Sequence, residues 1–277
     1  MPRHIVCLTF DFDTESGFIA RGLTTPTMLS RGEFGLTGAR RILDLAKSRG
    51  IPMTWFVPGF TIESHRADVE RVVEGGHEIA HHSWAHVPPA EQSRDEEEED
   101  MIRANQAIKE LTGHKARGYR SPSWDLSENT LDLLEAQGFD YDSSLMAGDY
   151  IPMKARRKDT VKLGEPIQYG ADTSLVEMPI SWTLDDHPHF EYLRTPGFLM
   201  PGLRPAREVM ESWHDEFVYM KANEDWGIVT YTMHPYVIGR GFRMFAFEKF
   251  VDKLIADGAE FMTMEGAAKV AREKLFI

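Results

Sequence analysis

Four histidines fall within ten residues of this sequence, at His77, His81, His82 and His86, in a chain that holds 11 in all. His82 and His86 stand four apart, so one helical turn after a strand brings both imidazoles to one point. Near the N-terminus the apolar run 5–10 leads into Asp11, Phe12 and Asp13, two carboxylates separated by one residue. In parallel α/β folds the carboxyl ends of strands face the active site, and carboxylates there are costly unless something positive neutralises them. One Asp with two His is the three-ligand set of an open catalytic metal site, its fourth position left to water. Asp13, His82 and His86 are the expected ligands. Water on a divalent ion loses its proton near neutral pH, and a carboxylate beside the ion but not bound to it can take that proton. Asp11 is the expected base. Cleavage of an amide also needs an acid for the departing nitrogen, and His234, at the end of the strand-like segment 227–233, is the candidate. Plainer readings compete: paired aspartates can simply turn the chain, and a histidine by itself is more often packed or solvated. His77 and His81 are read as structural or supporting.

The elements that must position these groups alternate short apolar or β-branched segments with longer ones of helical period, the pattern of repeated βα units around parallel strands. Strands are predicted near 4–11, 52–57, 76–81, 116–121, 139–143, 175–180, 227–233 and 260–264. Leu36, Ala39, Ile42, Leu43 and Ala46 recur at helical spacing and stop at Gly50. A second helix covers 94–112, a third is capped by Ser127 and ends at Gly138, and later helices fall near 205–222, 246–257 and 265–274. The acidic run 95–100 reads as a solvated first helical turn. The basic stretch 154–158 reads as solvated charge in a loop, with a substrate-anion contact as the alternative. Residues 187–204, which include His187, Pro188, Pro196, Gly197, Pro201 and Gly202, have no clear period and read as a long irregular lid or interface arm.

Composition narrows the class. A formal charge of −13 argues against a polyanionic partner such as nucleic acid. No stretch has the apolar length of a membrane span, and the opening residues lack the apolar core and cleavage site of a secretory signal, so the expected address is the cytoplasm. The single cysteine, Cys7, cannot form an intramolecular disulfide and reads as core packing. The 277 residues are expected to form one α/β catalytic domain, since barrels of this class run to that length around a single core.

In order along the chain, the motifs Thr9-Phe10-Asp11-Phe12-Asp13, His82-Ser83-Trp84-Ala85-His86 and Arg120-Ser121-Pro122 resemble those of the polysaccharide deacetylase family, also called NodB-homology or carbohydrate esterase family 4. The similarity extends to Trp182-Thr183-Leu184-Asp185-Asp186 and to His234. It implies an irregular (β/α) barrel of about seven parallel strands, with Asp11 as general base, Asp13, His82 and His86 as ligands of a divalent metal, and His234 as general acid. Arg120 would orient the base, Asp185 or Asp186 would pair with His234, and Trp84, Ser123 and Trp124 beside the motifs would contact substrate. The metal suits zinc, with cobalt, nickel or iron as alternatives. The insertion of Phe12 between the acids, Ser121 within the arginine motif, and the stretch 144–150 resemble a branch that includes peptidoglycan deacetylase-like proteins, cyclic imide hydrolases and allantoinase-like enzymes, several of them tetramers. The expectation is therefore a metal-dependent hydrolase of non-peptide carbon–nitrogen bonds, its metal-bound water attacking an N-acylated sugar or a small cyclic amide, imide or ureide, with a homo-oligomer, a tetramer, as the expected assembly. A carbohydrate-binding module without turnover is the contrasting reading, disfavoured because every catalytic position of the motifs is filled.

Overall fold

A computed structural model describes residues 3–195 and 197–276 of the chain. Its strands are β1 (Arg3–Asp11), β2 (Thr54–Val57), β3 (Glu78–His81), β4 (Gly118–Tyr119), β5 (Tyr141–Asp142), β6 (Met153–Arg157), β7 (Ala171–Glu177), β8 (Tyr192–Thr195), β9 (Phe198–Pro201), β10 (Trp226–Met233) and β11 (Glu260–Phe261). Seven of them run parallel in the order β10-β1-β2-β3-β4-β5-β7, and β6 adds an antiparallel edge. The sheet curls into a half-barrel. β11 pairs with the lower part of β1, at Ile5 and Val6, while β2 pairs with its upper part, from Thr9 to Asp11. An isolated bridge between Asp185 and Thr232 brings the segment after β7 back to β10.

The two-residue repeat of a strand divides each one between two environments. On β1, Val6, Leu8 and Phe10 join the larger hydrophobic cluster with Ile42, Leu45 and Ala46 of the helix Pro26–Arg49. Ile5 and Cys7 point the other way, into a smaller cluster with Phe56, Ala80, Tyr141, Val176 and Ile228. Met264, Ala267, Ala268 and Ala271 of the helix Met264–Leu275 seal that cluster. Continuing the same parity along β1 leads to Thr9 and Asp11, along β3 to His82, and along β10 to Thr230, Thr232 and His234. The inner face is therefore apolar at its lower end and polar at its upper end. Cys7 is fully buried, as expected of core packing, and burial raises its thiol well above the ordinary range.

Several sequence expectations are corrected. The first long helix begins at Pro26, a full ten residues before Leu36, because its early turns present Gly32, Gly35 and Gly38 to neighbouring backbone and give no apolar period. A Cβ on Gly38 would lie 1.9 Å from the carbonyl oxygen of Pro235. The helix Thr130–Gln137 is not capped by Ser127; its N-cap is Asn129, whose N–H donates to Ser127 Oγ, and Gly138 ends it at φ 81° as expected. Helix Arg94–Thr112 has the expected bounds and a capping box of Ser93 and Glu96, yet its acidic run is not wholly solvated. Glu97 is buried under Ser127 and Thr130, and Asp100 accepts the N–H of Trp84. The basic stretch 154–158 lies on the edge strand β6 up to Arg157, with Lys158 just past its end; Arg156 pairs with Asp159 and Arg157 with Asp132 and Glu135. Segment 187–204 is not irregular: it carries the end of a short helix, Asp186–Phe190, and the β8–β9 hairpin, while Pro196 lies outside the described residues.

Candidate active site

At the upper end of the inner face a cavity of about 50 Å³ is lined by Asp11, Asp13, His82, His86, Ser123, Trp124, Asp185 and His234, eight of the residues expected from sequence. Arg21, Trp182, His187 and Tyr236 complete it. Motif spacing singled out none of these four as a site residue; they lie in or beside short helices that reach the cavity only through the fold. The indoles of Trp124 and Trp182 stack with centroids 4.2 Å apart and form one wall. Trp84 is not part of the lining; its ring lies beneath the Arg103 guanidinium, 3.5 Å from the centroid, and a Cβ on Gly59 would run into it.

Asp13 stands between the two imidazoles. Its Oδ1 is 3.4 Å from His82 Nε2 and its Oδ2 3.4 Å from His86 Nε2. His82 Nδ1 donates to the Arg120 carbonyl at 2.8 Å, which leaves Nε2 as the unprotonated nitrogen turned towards Asp13. Asp13 Oδ1 and His82 Nε2 are buried without any hydrogen-bond partner, a costly state unless a cation lies between them. Tetrahedral ligands at about 2.0–2.1 Å from an ion stand roughly 3.3 Å from one another, close to the 3.4 Å between the Asp13 carboxylate and each imidazole nitrogen. The donor set thus fits a divalent ion, and burial, which opposes charge on Asp13, is outweighed by His86, His82 and His234, so its carboxyl is held well below the usual range.

The expected helical turn between His82 and His86 does not form. Ser83 and His86 both adopt positive φ, 61° in each case, and the His86 N–H donates to Ser83 Oγ at 2.8 Å. This tight turn, rather than i,i+4 spacing on a helix, brings the rings to 5.0 Å at 79°. Thr14, Ser123 and Trp124 share the same left-handed conformation at other strand ends around the cavity, a clustering of backbone strain common at functional sites. His81, of opposite parity to His82, faces outward, where its Nε2 meets the Met101 carbonyl and burial lowers its pKa to about 3. His77 lies outside the cavity.

Asp11 is 3.8 Å from His82 Nε2 through Oδ2, while its Oδ1 accepts from Arg120 Nη1 at 2.7 Å. Arg120 is fully buried behind it, stacked 4.0 Å over the Phe56 ring and bonded to Thr9 Oγ1 and to Ser143. On the other strand end, His234 Nδ1 donates to Asp186 Oδ1 at 2.8 Å; Asp185 Oδ1, 3.7 Å away, accepts the His187 N–H instead. Asp186 is therefore the partner of His234, and Asp185 lines the cavity. Burial opposes the imidazolium, yet Asp185, Asp186 and Asp13 overcome it and raise His234 to about 10. Burial also raises Asp185 to about 7, against the pull of His234.

Comparison with known proteins points to one family. Residues 1–141 match the family described as polysaccharide deacetylase. A peptidoglycan deacetylase of Helicobacter pylori is 32% identical over 270 residues, spanning 90% of this chain and 89% of that protein. Among solved structures, a provisionally named polysaccharide deacetylase of Mycobacterium smegmatis superposes with a TM-score of 0.86 at 29% identity, covering 99% of this chain and 92% of the other. A crystal structure of an allantoinase gives a TM-score of 0.75 at 21% identity, over 96% and 89% of the two chains, a likeness of fold alone.

Proposed function

This chain belongs to the polysaccharide deacetylase family and is a hydrolase of carbon–nitrogen bonds other than peptide bonds, and we propose that it removes the acyl group of an N-acetylated amino sugar with a divalent ion held by Asp13, His82 and His86. The reading rests above all on the convergence of these three side chains, two of their ligand atoms orphaned and buried, beside Asp11 and His234 in one cavity. When bound, the ion supplies Lewis acidity that polarises the carbonyl and acidifies water; zinc suits the donor set best.

The protein groups divide the proton transfers. Asp11, oriented by its hydrogen bond from Arg120, accepts a proton from the attacking water. His234, charged and steered by Asp186, donates a proton to the nitrogen as the carbon–nitrogen bond breaks, so an acetate and an amine leave. Asp185, His187 and Tyr236 close the site around His234. The stacked Trp124 and Trp182 offer an apolar face to a sugar ring beside Asp11, Asp13 and His234. A second cluster of ligand type, Asp185, Asp186 and His234, is read as the acid and its supports, since His234 Nδ1 is already committed to Asp186.

Metal analysis together with turnover of N-acetylglucosamine oligomers, peptidoglycan fragments, dihydrouracil, succinimide, hydantoin and allantoin tests the reading. Acetate release from the amino sugars by the zinc-loaded protein is the expected result. Turnover of cyclic compounds alone would replace deacetylation by ring opening, and a metal-loaded protein inert on the whole panel would return the binding-module reading.

A further inference from the structure

Two carboxyl groups that do not line the cavity lie buried against each other next to Arg120. Asp142 and Glu177 are register partners on β5 and β7, 0% and 2% exposed, and their side chains are within hydrogen-bonding reach of one another. Asp142 Oδ2 and Glu177 Oε2 have no other partner. Their remaining oxygens are occupied: Asp142 Oδ1 accepts from Ser144 Oγ at 2.7 Å, and Glu177 Oε1 accepts the N–H groups of Ser144 at 3.0 Å and Leu145 at 2.9 Å. Two adjacent carboxylates in such surroundings cannot both stay charged, but one proton between them turns repulsion into a hydrogen bond.

The loop 143–145 held in this way is the one that holds Arg120. The Ser143 carbonyl and Oγ accept from Arg120 Nε at 3.4 Å and Nη2 at 3.1 Å, and Ser144 Oγ accepts the N–H of Ser121 at 3.0 Å. Only Nη1 then remains, and it reaches Asp11 and Thr9. We propose that Asp142 and Glu177 share one proton and act as a positioning pair, fixing loop 143–145 so that Arg120 keeps Asp11 aligned for proton abstraction. The inference rests on Asp11 being the base, as proposed above. In support, burial raises Asp142 to about 6, and burial together with Asp142 raises Glu177 well above the usual range, which puts the proton on Glu177 with Asp142 as its charged acceptor. Arg120 is the cation whose field acts on Asp142.

An infrared measurement addresses the proton without any substrate. At neutral pH, the metal-loaded wild type should show a protonated-carboxyl band that is missing from both Glu177→Gln and Asp142→Asn; a wild type without it overturns the proposal. Kinetics address the positioning. Glu177→Ala and Asp142→Ala should lower kcat by about 10-fold or more with KM and metal content unchanged, while Glu177→Gln, whose amide replaces the shared proton, should stay within about 3-fold of wild type. Alanine variants with wild-type kcat, or a glutamine variant no better than alanine, overturn it. Should the alanine variants not fold, Ser144→Ala breaks the link to Ser121 without emptying the core; a several-fold loss of kcat is expected and wild-type kcat is the contrary result. A wild type that turns over no substrate sinks the functional reading instead, and the infrared result then decides the shared proton by itself.

Discussion

Asp11 and Asp13 are two residues apart on one strand end, yet their surroundings differ. Asp11 has its charge met by a fully buried guanidinium at 2.7 Å, whereas Asp13 keeps an orphaned oxygen between two imidazoles. Replacing Asp13 or His82 by alanine should therefore abolish metal binding, measured by elemental analysis. Asp11→Asn should retain the metal and lose kcat by roughly 10²–10⁴-fold, the usual contribution of a general base; retained activity would show that the base is another group. The contrast between Asp185 and Asp186 is also a matter of single contacts. Asp186→Asn removes the charge that holds the proton on His234 Nδ1 and should lower kcat by about 10–100-fold. The alkaline limb of the pH–rate profile should move to lower pH in this variant, because the imidazolium loses its proton more readily; an unmoved limb would argue against His234 as the acid.

At the scale of elements, the site depends on turns whose supports come from elsewhere in the chain. The turn after β3 carries both His82 and His86, and the helix Arg94–Thr112 steadies it through Asp100, which accepts the Trp84 N–H at 2.9 Å. Burial, partly offset by those backbone donors, raises Asp100 to about 6. Between pH about 4 and about 6 the folded chain then binds more protons at this position than the unfolded chain, so this carboxyl's contribution to stability falls as pH rises through that window, by at most about 1.4 kcal/mol per pH unit. Urea denaturation of wild type and Asp100→Asn at a series of pH values checks the sign: the stability of wild type relative to the variant should decline from pH 4 to pH 6. A constant difference would mean that Asp100 keeps its ordinary pKa in the fold.

Across the whole molecule, one inner sheet face carries the apolar seal at one end and the chemistry at the other. Ala267 is fully buried where the helix Met264–Leu275 closes the lower end, among Ile5, Cys7 and Phe56. Ala267→Leu should cost about 1–3 kcal/mol by overpacking, read from a thermal or urea transition. Metal content and kcat of the folded fraction should not change, because the site lies at the opposite end of the strands. A loss of metal in that variant would mean that the two ends are coupled through the sheet.

The sequence alone carried the choice of Asp11, Asp13, His82, His86 and His234, which the fold brings to one cavity, and the run of parallel strands. It could do so because chemistry of this kind needs particular side-chain types, and the strand parity that aims them is written in local apolar patterns. It did not carry strands β6, β8 and β9, which are exposed or edge segments without a strong period. Nor did it carry the early turns of the helix Pro26–Arg49, where glycines meet backbone. The turn that joins His82 to His86 looked helical because spacing by itself cannot tell a helix from a turn built on positive φ. Choosing Asp186 over Asp185, excluding Trp84, admitting Arg21, Trp182, His187 and Tyr236, and bringing Asp142 beside Glu177 were decisions of tertiary structure. Each depends on which distant strand end lies within a few ångströms of another, a distance that the curl of the sheet sets and no local pattern encodes.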